Sequence, residues 1–394
     1  MDLVVAVLLT AVLGVVVRWL LFQPRSCLEP PCISGWIPWL GAAFQFGRVP
    51  LKFIEQARLK YGPVFTVYML GKRHTFVTEE EGFQAFCMSK DADFEQAVQQ
   101  SVQHAVSVPE EIFYKNRRRL YIMLKGKLSA SNLHELFGSL CHEFQNYIED
   151  LGPEGTEELR DLVRKWSKSK QWLLKRFEKV ALHEQKTNSP DGSYKTLYQH
   201  VLDTLHGKHF GPHYGLLLLW ASQANAVPVA FWTLAFILSC PSIYKNIMKE
   251  LESLYGKSAK EVVRVSEDDL KSLPFIKWCI LETLRLRAPG AIVKKVINPI
   301  KVQNFVIPAG DLLVMSPYWY HRNPKYFPEP NVFKPDRWKE ANLEKNTFLE
   351  GFMAFGGGAH QCPGRWFAIM EIHILVVLFL SKYECSLLDP LPKE

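Results

Sequence analysis

Apolar and polar positions along this chain of 394 residues fall into a few distinct rhythms. Residues 3–22 (LVVAVLLTAVLGVVVRWLLF) are apolar apart from Thr10 and Arg18. At about 1.5 Å per residue such a run just covers a hydrocarbon core of roughly 30 Å, which predicts a membrane-spanning helix. Arg18 lies near its end, where it reaches the interface beside Trp19. The residues before the run include Asp2 but no Lys or Arg, and no A-x-A site follows. These flanks favour an uncleaved anchor over a cleaved signal peptide. Arg18 and Arg25 come late in the run and after it, which places the rest of the chain on the cytoplasmic side. Pro24, Pro30, Pro31 and Pro38 then stiffen a hinge over residues 23–50.

Residues 51–61 carry apolar positions at helical spacing, and 64–77 alternate around Gly71 as a short hairpin does. Helical spacing dominates 110–183 and stops at the turn-rich TNSPDGS of 187–193. The apolar run 214–239 is long enough to suggest a second span. Ser222, Gln223 and Asn225 fall in its middle, and Pro228 interrupts it, so a buried core helix is predicted instead. Residues 292–314 read as strands, with Val and Ile arranged around Pro299 and Pro308.

Composition narrows the class. Hydrophobic residues make up 48% and charged residues 22%, so the chain folds. A net charge of +7 is too small for a histone-like nucleic-acid binder, yet permits docking to anionic lipid or an acidic protein. The eight cysteines form no C-x-x-C pair, which argues against a zinc module or a thioredoxin-type redox site. Their loose spacing fits free thiols in a reducing compartment.

One segment carries specific chemistry. Residues 355–364 read FGGGAHQCPG, a run of glycines that lets the backbone approach a flat group and turn its N–H donors toward one point. Pro363 is expected to open an amphipathic helix, which puts Cys362 at a helix N-terminus where a thiolate is favoured. A thiolate so held suits an iron ligand. A buried structural cysteine is the simpler alternative and fits Cys279 or Cys385, but does not account for the glycines before Cys362.

With those residues in view, the segment resembles the haem-binding signature of the cytochromes P450. The resemblance implies haem b as cofactor, Cys362 as its thiolate ligand, and Phe355, Gly356, Gly358, His360 and Gly364 around it. His360 stands where many members carry Arg, and still has a donor for a haem propionate. Glu282-Thr283-Leu284-Arg285 resembles the E-x-x-R motif, and Pro335-Asp336-Arg337-Trp338 resembles the segment whose arginine joins that pair. The resemblance thus implies a structural triad of Glu282, Arg285 and Arg337. It implies that helix 214–239 crosses the distal haem face, with Ala224 and Asn225 where an acid and an alcohol are usual, and Asn225 as the candidate catalytic residue. That departure resembles the sterol 7α-hydroxylase and prostacyclin synthase branch. The implied fold is mainly α with a small β lobe, forming one catalytic domain over 51–394.

The implied activity is oxysterol monooxygenation at C7. Dioxygen is the oxidant, and electrons come from NADPH through a flavoprotein reductase. The implied location is the endoplasmic reticulum membrane, with a sterol substrate, membrane lipid and the reductase as partners, and no nucleic acid. An isomerase like prostacyclin synthase and a haem-binding membrane protein without turnover are the alternatives. The chain also looks shortened against the family, with about 85 residues between the helix near 117–127 and Tyr214, too few for the helices expected there at 1.5 Å per residue. The join falls near 163–166. The end at Glu394 precedes an expected closing hairpin, and impaired catalysis is the corresponding expectation.

Overall fold

A computed structural model describes residues 3–21, 28–37, 39–150, 196–205, 208–256, 263–287, 290–345 and 347–391. The join near 163–166, the break at 187–193 and much of the 110–183 helical stretch lie outside the described residues.

In chain order, helix α1 (Leu3–Leu21) precedes strand β1 (Cys32–Ile33), helices α2 (Ala43–Arg48) and α3 (Pro50–Tyr61), and the hairpin of β2 (Val64–Met69) and β3 (Lys72–Val77). Next come α4 (Glu80–Met88), β4 (Ala92–Asp93), α5 (Phe94–Val106), α6 (Glu110–Lys127) and α7 (His134–Asp150). Helices α8 (Leu197–Thr204), α9 (Gly211–Ser239), α10 (Pro241–Tyr255), α11 (Glu267–Ser272) and α12 (Pro274–Arg287) follow. Four strands, β5 (Ile292–Val296), β6 (Ile300–Val302), β7 (Phe305–Ile307) and β8 (Leu312–Met315), lead to α13 (Pro317–His321) and the late helix α14 (Arg365–Lys382).

Two compact units account for these elements. The first comprises Met1–Gln100, Gly290–Tyr320 and Gly356–Gln361. Its sheet runs β1-β2-β3-β8-β5-β4, with β6 and β7 as a separate pair. The β2–β3 hairpin is antiparallel, from Val64 opposite Val77 to Met69 opposite Lys72. Leu70 and Gly71 both take positive φ, as a two-residue hairpin turn requires. Phe65 stacks on Phe76 at 5.5 Å in a core shared with Ile54, Val67 and Val314. The buried Thr66 and Thr75 hydroxyls meet at 2.8 Å, and Thr75 donates to Asp311 at 3.0 Å. Arg73 bridges Asp311 at 2.9 Å and Glu29 at 2.8 Å, so no charge in this network is stranded.

The second unit comprises Ser101–Pro289, His321–Phe355 and Cys362–Glu394. Helices α12 and α14 form its centre, with nearly every side of each buried. Two expectations are corrected by α14. It begins at Arg365 with Gly364 as its cap, leaving Pro363 in the preceding turn. It is also apolar all round instead of amphipathic: Trp366, Ile369, Ile372, Ile374, Val377 and Leu380 are all buried. Helix α9 is buried at both ends, through Tyr214 and Leu216 and through Val229, Thr233 and Ile237. Its middle departs from the predicted core helix, because Trp220, Ala221, Ala224 and Asn225 are exposed along one stripe. Ala221, Ala224 and Asn225 offer little apolar area to cover, although Trp220 does. Pro228 has no N–H for the Ala224 carbonyl, which loosens the helix beside Asn225.

Candidate functional site

Cys362 is set by local backbone geometry. Its N–H donates to the Phe355 carbonyl at 2.9 Å, closing the six residues between them into a loop. Within that loop Gly356 and Gly358 have φ of 71° and 66°. A Cβ on Gly358 would lie 2.5 Å from the Cys87 carbonyl oxygen, so only glycine fits. The His360 and Phe94 rings lie 6.1 Å apart. Gly364 differs, since a Cβ there would meet Leu128 Cδ1 at an ordinary 3.7 Å. Arg365 Nη1 donates to the Cys362 carbonyl at 3.0 Å and holds the chain as it enters α14.

Burial pushes the Cys362 thiol up from its ordinary value, while the Gly364 N–H and the Arg365 charge pull down with smaller effect. The expected position of Cys362 at the helix N-terminus is what the structure corrects. Helix α14 starts three residues later, and a helix-end field fades within its first turn.

The second unit also holds a dense ionic cluster. Glu282, fully buried on α12, accepts from Arg285 through both oxygens, at 2.8 and 2.9 Å. It also accepts from Arg337 Nε, the Lys334 N–H and Trp338 Nε1, each at 3.0 Å. Arg285 spends its remaining donors on the carbonyls of His321 and Pro330, both at 2.7 Å, and of Val332 at 3.2 Å. The structure thus brings Glu282, Arg285 and Arg337 together. The pattern of charges alone gave no sign of Trp338 or His321 as members.

His321 Nδ1 donates to the Arg285 carbonyl at 2.9 Å, and its Nε2 accepts the Met353 N–H at 2.9 Å. That pairing fixes one neutral tautomer, while burial, aided by the charges of Arg285 and Arg322, pulls its pKa down to about 3. Aromatic contacts carry the cluster to the cysteine loop. Trp338 meets Phe352 at 4.8 Å edge-on, Phe352 meets Phe355 at 6.2 Å, and Phe348 stacks on Trp366 at 4.9 Å.

The donor set suits a cofactor that brings most of its own ligands. Among the described residues no group of three or more His, Cys, Asp or Glu is placed to hold a metal. A single cysteine on a glycine loop fits a metal already ringed by a macrocycle, as in haem-thiolate proteins. Asn225 lies on the exposed stripe of α9.

Comparison with known proteins agrees with this geometry. The family model described as Cytochrome P450 matches residues 30–171 and 130–393. The 24-hydroxycholesterol 7-alpha-hydroxylase of Homo sapiens is 48% identical over 436 residues, spanning 97% of this chain and 93% of that protein. Its Mus musculus counterpart is 47% identical, spanning 98% and 93%. Those 436 aligned positions exceed the 394 residues of this chain by 42, so the human relative has positions without a counterpart here. Among solved structures, a retinoic acid-bound cyanobacterial CYP120A1 superposes with a TM-score of 0.67 at 18% identity. It covers 90% of this chain and 92% of its own, a likeness of fold alone.

Proposed function

The chain belongs to the cytochrome P450 family, and on that premise we propose that it hydroxylates an oxysterol, 24-hydroxycholesterol, at the 7α position. The carrying observation is the closed glycine loop that presents Cys362, in a chain nearly half identical to hydroxylases of that name. The isomerase reading and the reading without turnover have no comparable support.

When bound, the haem supplies dioxygen activation, and a thiolate ligand pushes electron density that favours O–O cleavage. The protein's part is placement. Cys362 would hold the iron through its sulfur, with its backbone tied at both sides by Phe355 and Arg365. Gly356 and Gly358 keep the loop thin enough for close approach to the ring, and His360 donates to a propionate. Glu282, Arg285 and Arg337 hold the backbone of residues 328–334 in one geometry. On α9, the Asn225 amide orders a water and passes a proton along it, a task for which Ala224 has no acid. The carbonyl of Ala224, left free by Pro228, is a second acceptor for that water.

Electrons come from NADPH through a flavoprotein reductase whose acidic surface meets basic residues of this chain. The exposed apolar helix α1 anchors the chain in the endoplasmic reticulum membrane as a single pass, with the catalytic part in the cytosol. Reconstitution with that reductase, NADPH and 24-hydroxycholesterol tests the proposal. Formation of 7α-hydroxylated product in step with NADPH consumption is expected. Product without NADPH, or NADPH consumption without product, contradicts it.

A further inference from the structure

His321 has a partner for each ring nitrogen and no exposed surface. Nδ1 donates to the Arg285 carbonyl at 2.9 Å, and Nε2 accepts the Met353 N–H at 2.9 Å. The roles are forced, because a carbonyl can only accept and an amide N–H can only donate. The ring has no freedom to swing. Arg285 Nη1 donates to the His321 carbonyl at 2.7 Å, so its main chain and side chain are tied to the same residue of α12. Phe352 stacks on the ring at 5.3 Å with an interplanar angle of 11°, and Phe327 meets it edge-on at 6.1 Å.

Burying an imidazole costs free energy that an apolar ring in the same space does not, so its two polar atoms call for a use. For Nδ1 that use is a helix end. The Arg285 carbonyl lies in the last turn of α12, where no further helical N–H follows to serve it. For Nε2 the use lies ahead of the cysteine. Met353 stands two residues before Phe355, whose carbonyl receives the Cys362 N–H at 2.9 Å. The adjoining Phe352 N–H is served locally, by the Leu349 carbonyl at 3.1 Å. The Met353 N–H instead reaches a side chain 32 residues away, which registers the entrance of the loop against the end of α12. Burial and the charges of Arg285 and Arg322 keep the ring neutral, so Nε2 stays an acceptor at ordinary pH.

We propose that His321 is a positioning residue for the haem thiolate: through the Met353 N–H it fixes the backbone from which the Phe355 carbonyl holds Cys362. It acts on the sulfur through backbone alone. The proposal rests on the haem-thiolate reading of Cys362 and is independent of which sterol is the substrate.

Two conservative variants separate the two bonds. Glutamine brings Oε1 near the place of Nε2 and keeps an acceptor for Met353. Asparagine brings Nδ2 near the place of Nδ1 and keeps only the donor to Arg285. Each loses one buried hydrogen bond, so both holoproteins are expected to unfold at similarly lowered thermal midpoints. They are expected to differ in the reduced carbon monoxide spectrum and in the rate of haem transfer to excess apomyoglobin. His321→Gln retains the thiolate-type Soret band and the slow transfer of the unaltered chain. His321→Asn loses most of that band and releases haem roughly tenfold faster or more, the scale on which groups supporting a metal ligand act. Equal spectra and transfer rates in the two variants, or a larger defect in the glutamine variant, overturn the proposal. So does an asparagine variant that unfolds far below the glutamine one or does not fold at all, since His321 is then a packing residue of the core. An unaltered chain without the thiolate-type band overturns the reading of Cys362 and this proposal with it. A normal band with matching variants overturns the proposal alone.

Discussion

Glu282 shows how much one buried carboxylate can organise. Five hydrogen bonds converge on its two oxygens, so removing it strands two guanidinium groups at once. Glu282→Ala is expected to cost about 3–5 kcal/mol and to yield haem-free or aggregated protein. Trp338→Phe deletes only one donor to an oxygen that Arg285 still serves, and is expected to cost about 1 kcal/mol in chemical denaturation of the holoprotein. Comparable losses in the two variants would show that the cluster does not work as drawn. The charges of this cluster were legible through the family resemblance, because E-x-x-R spacing alone fits a solvated helix pair equally well. Trp338 and His321 were not, since an indole and a neutral imidazole leave no charge pattern to read.

Titration at single residues gives a further prediction. Burial pushes Glu371 up to about 8 and pulls His373 down to about 3, alongside His321. The unfolded chain ionises Glu371 near its ordinary value while the folded chain keeps it neutral, so this group erodes stability as pH rises through about 8. The two histidines act in the opposite sense. They take up protons on unfolding below their ordinary value, which costs stability as pH falls toward 3. Glu371→Gln is therefore expected to raise the thermal midpoint more at about pH 8 than at about pH 5. A uniform shift across that range would contradict the assignment.

At the scale of elements, the loop before α14 decides whether a flat cofactor can be seated. Gly358→Ala puts a methyl group against the Cys87 carbonyl at a φ that alanine rarely adopts. It is expected to reduce haem content severalfold, whereas Gly364→Ala, with ordinary space and φ of −91°, is expected to load normally. Absorbance of the haem per mole of protein checks both, and equal loading of the two would remove the steric argument. Sequence spacing marked both glycines alike, because it carries no sign of φ or of a neighbouring carbonyl from α4. The hairpin, the strands after α12 and the existence of α9 were all legible from periodicity. The character of α14 was not. Its Glu371 and His373 mimic a polar face, but both are buried, so a pattern of types misread a helix enclosed on every side.

For the whole molecule, the motifs that name the family lie in its last third and are complete in sequence, while the human relative aligns over 42 more positions than this chain has residues. A sterol has few polar handles and depends on walls that bury most of its surface. We expect product per haem to rise when the relative's unmatched segment is inserted near 163–166, and unchanged turnover would show that this chain closes its pocket without it. The central claim remains Cys362 as the iron's thiolate, and the reduced carbon monoxide difference spectrum of the full-length protein tests it most directly. The long-wavelength thiolate-type Soret band is expected for the unaltered chain and for Cys279→Ala, and is expected to vanish in Cys362→Ala. Persistence of that band without Cys362 would contradict the account.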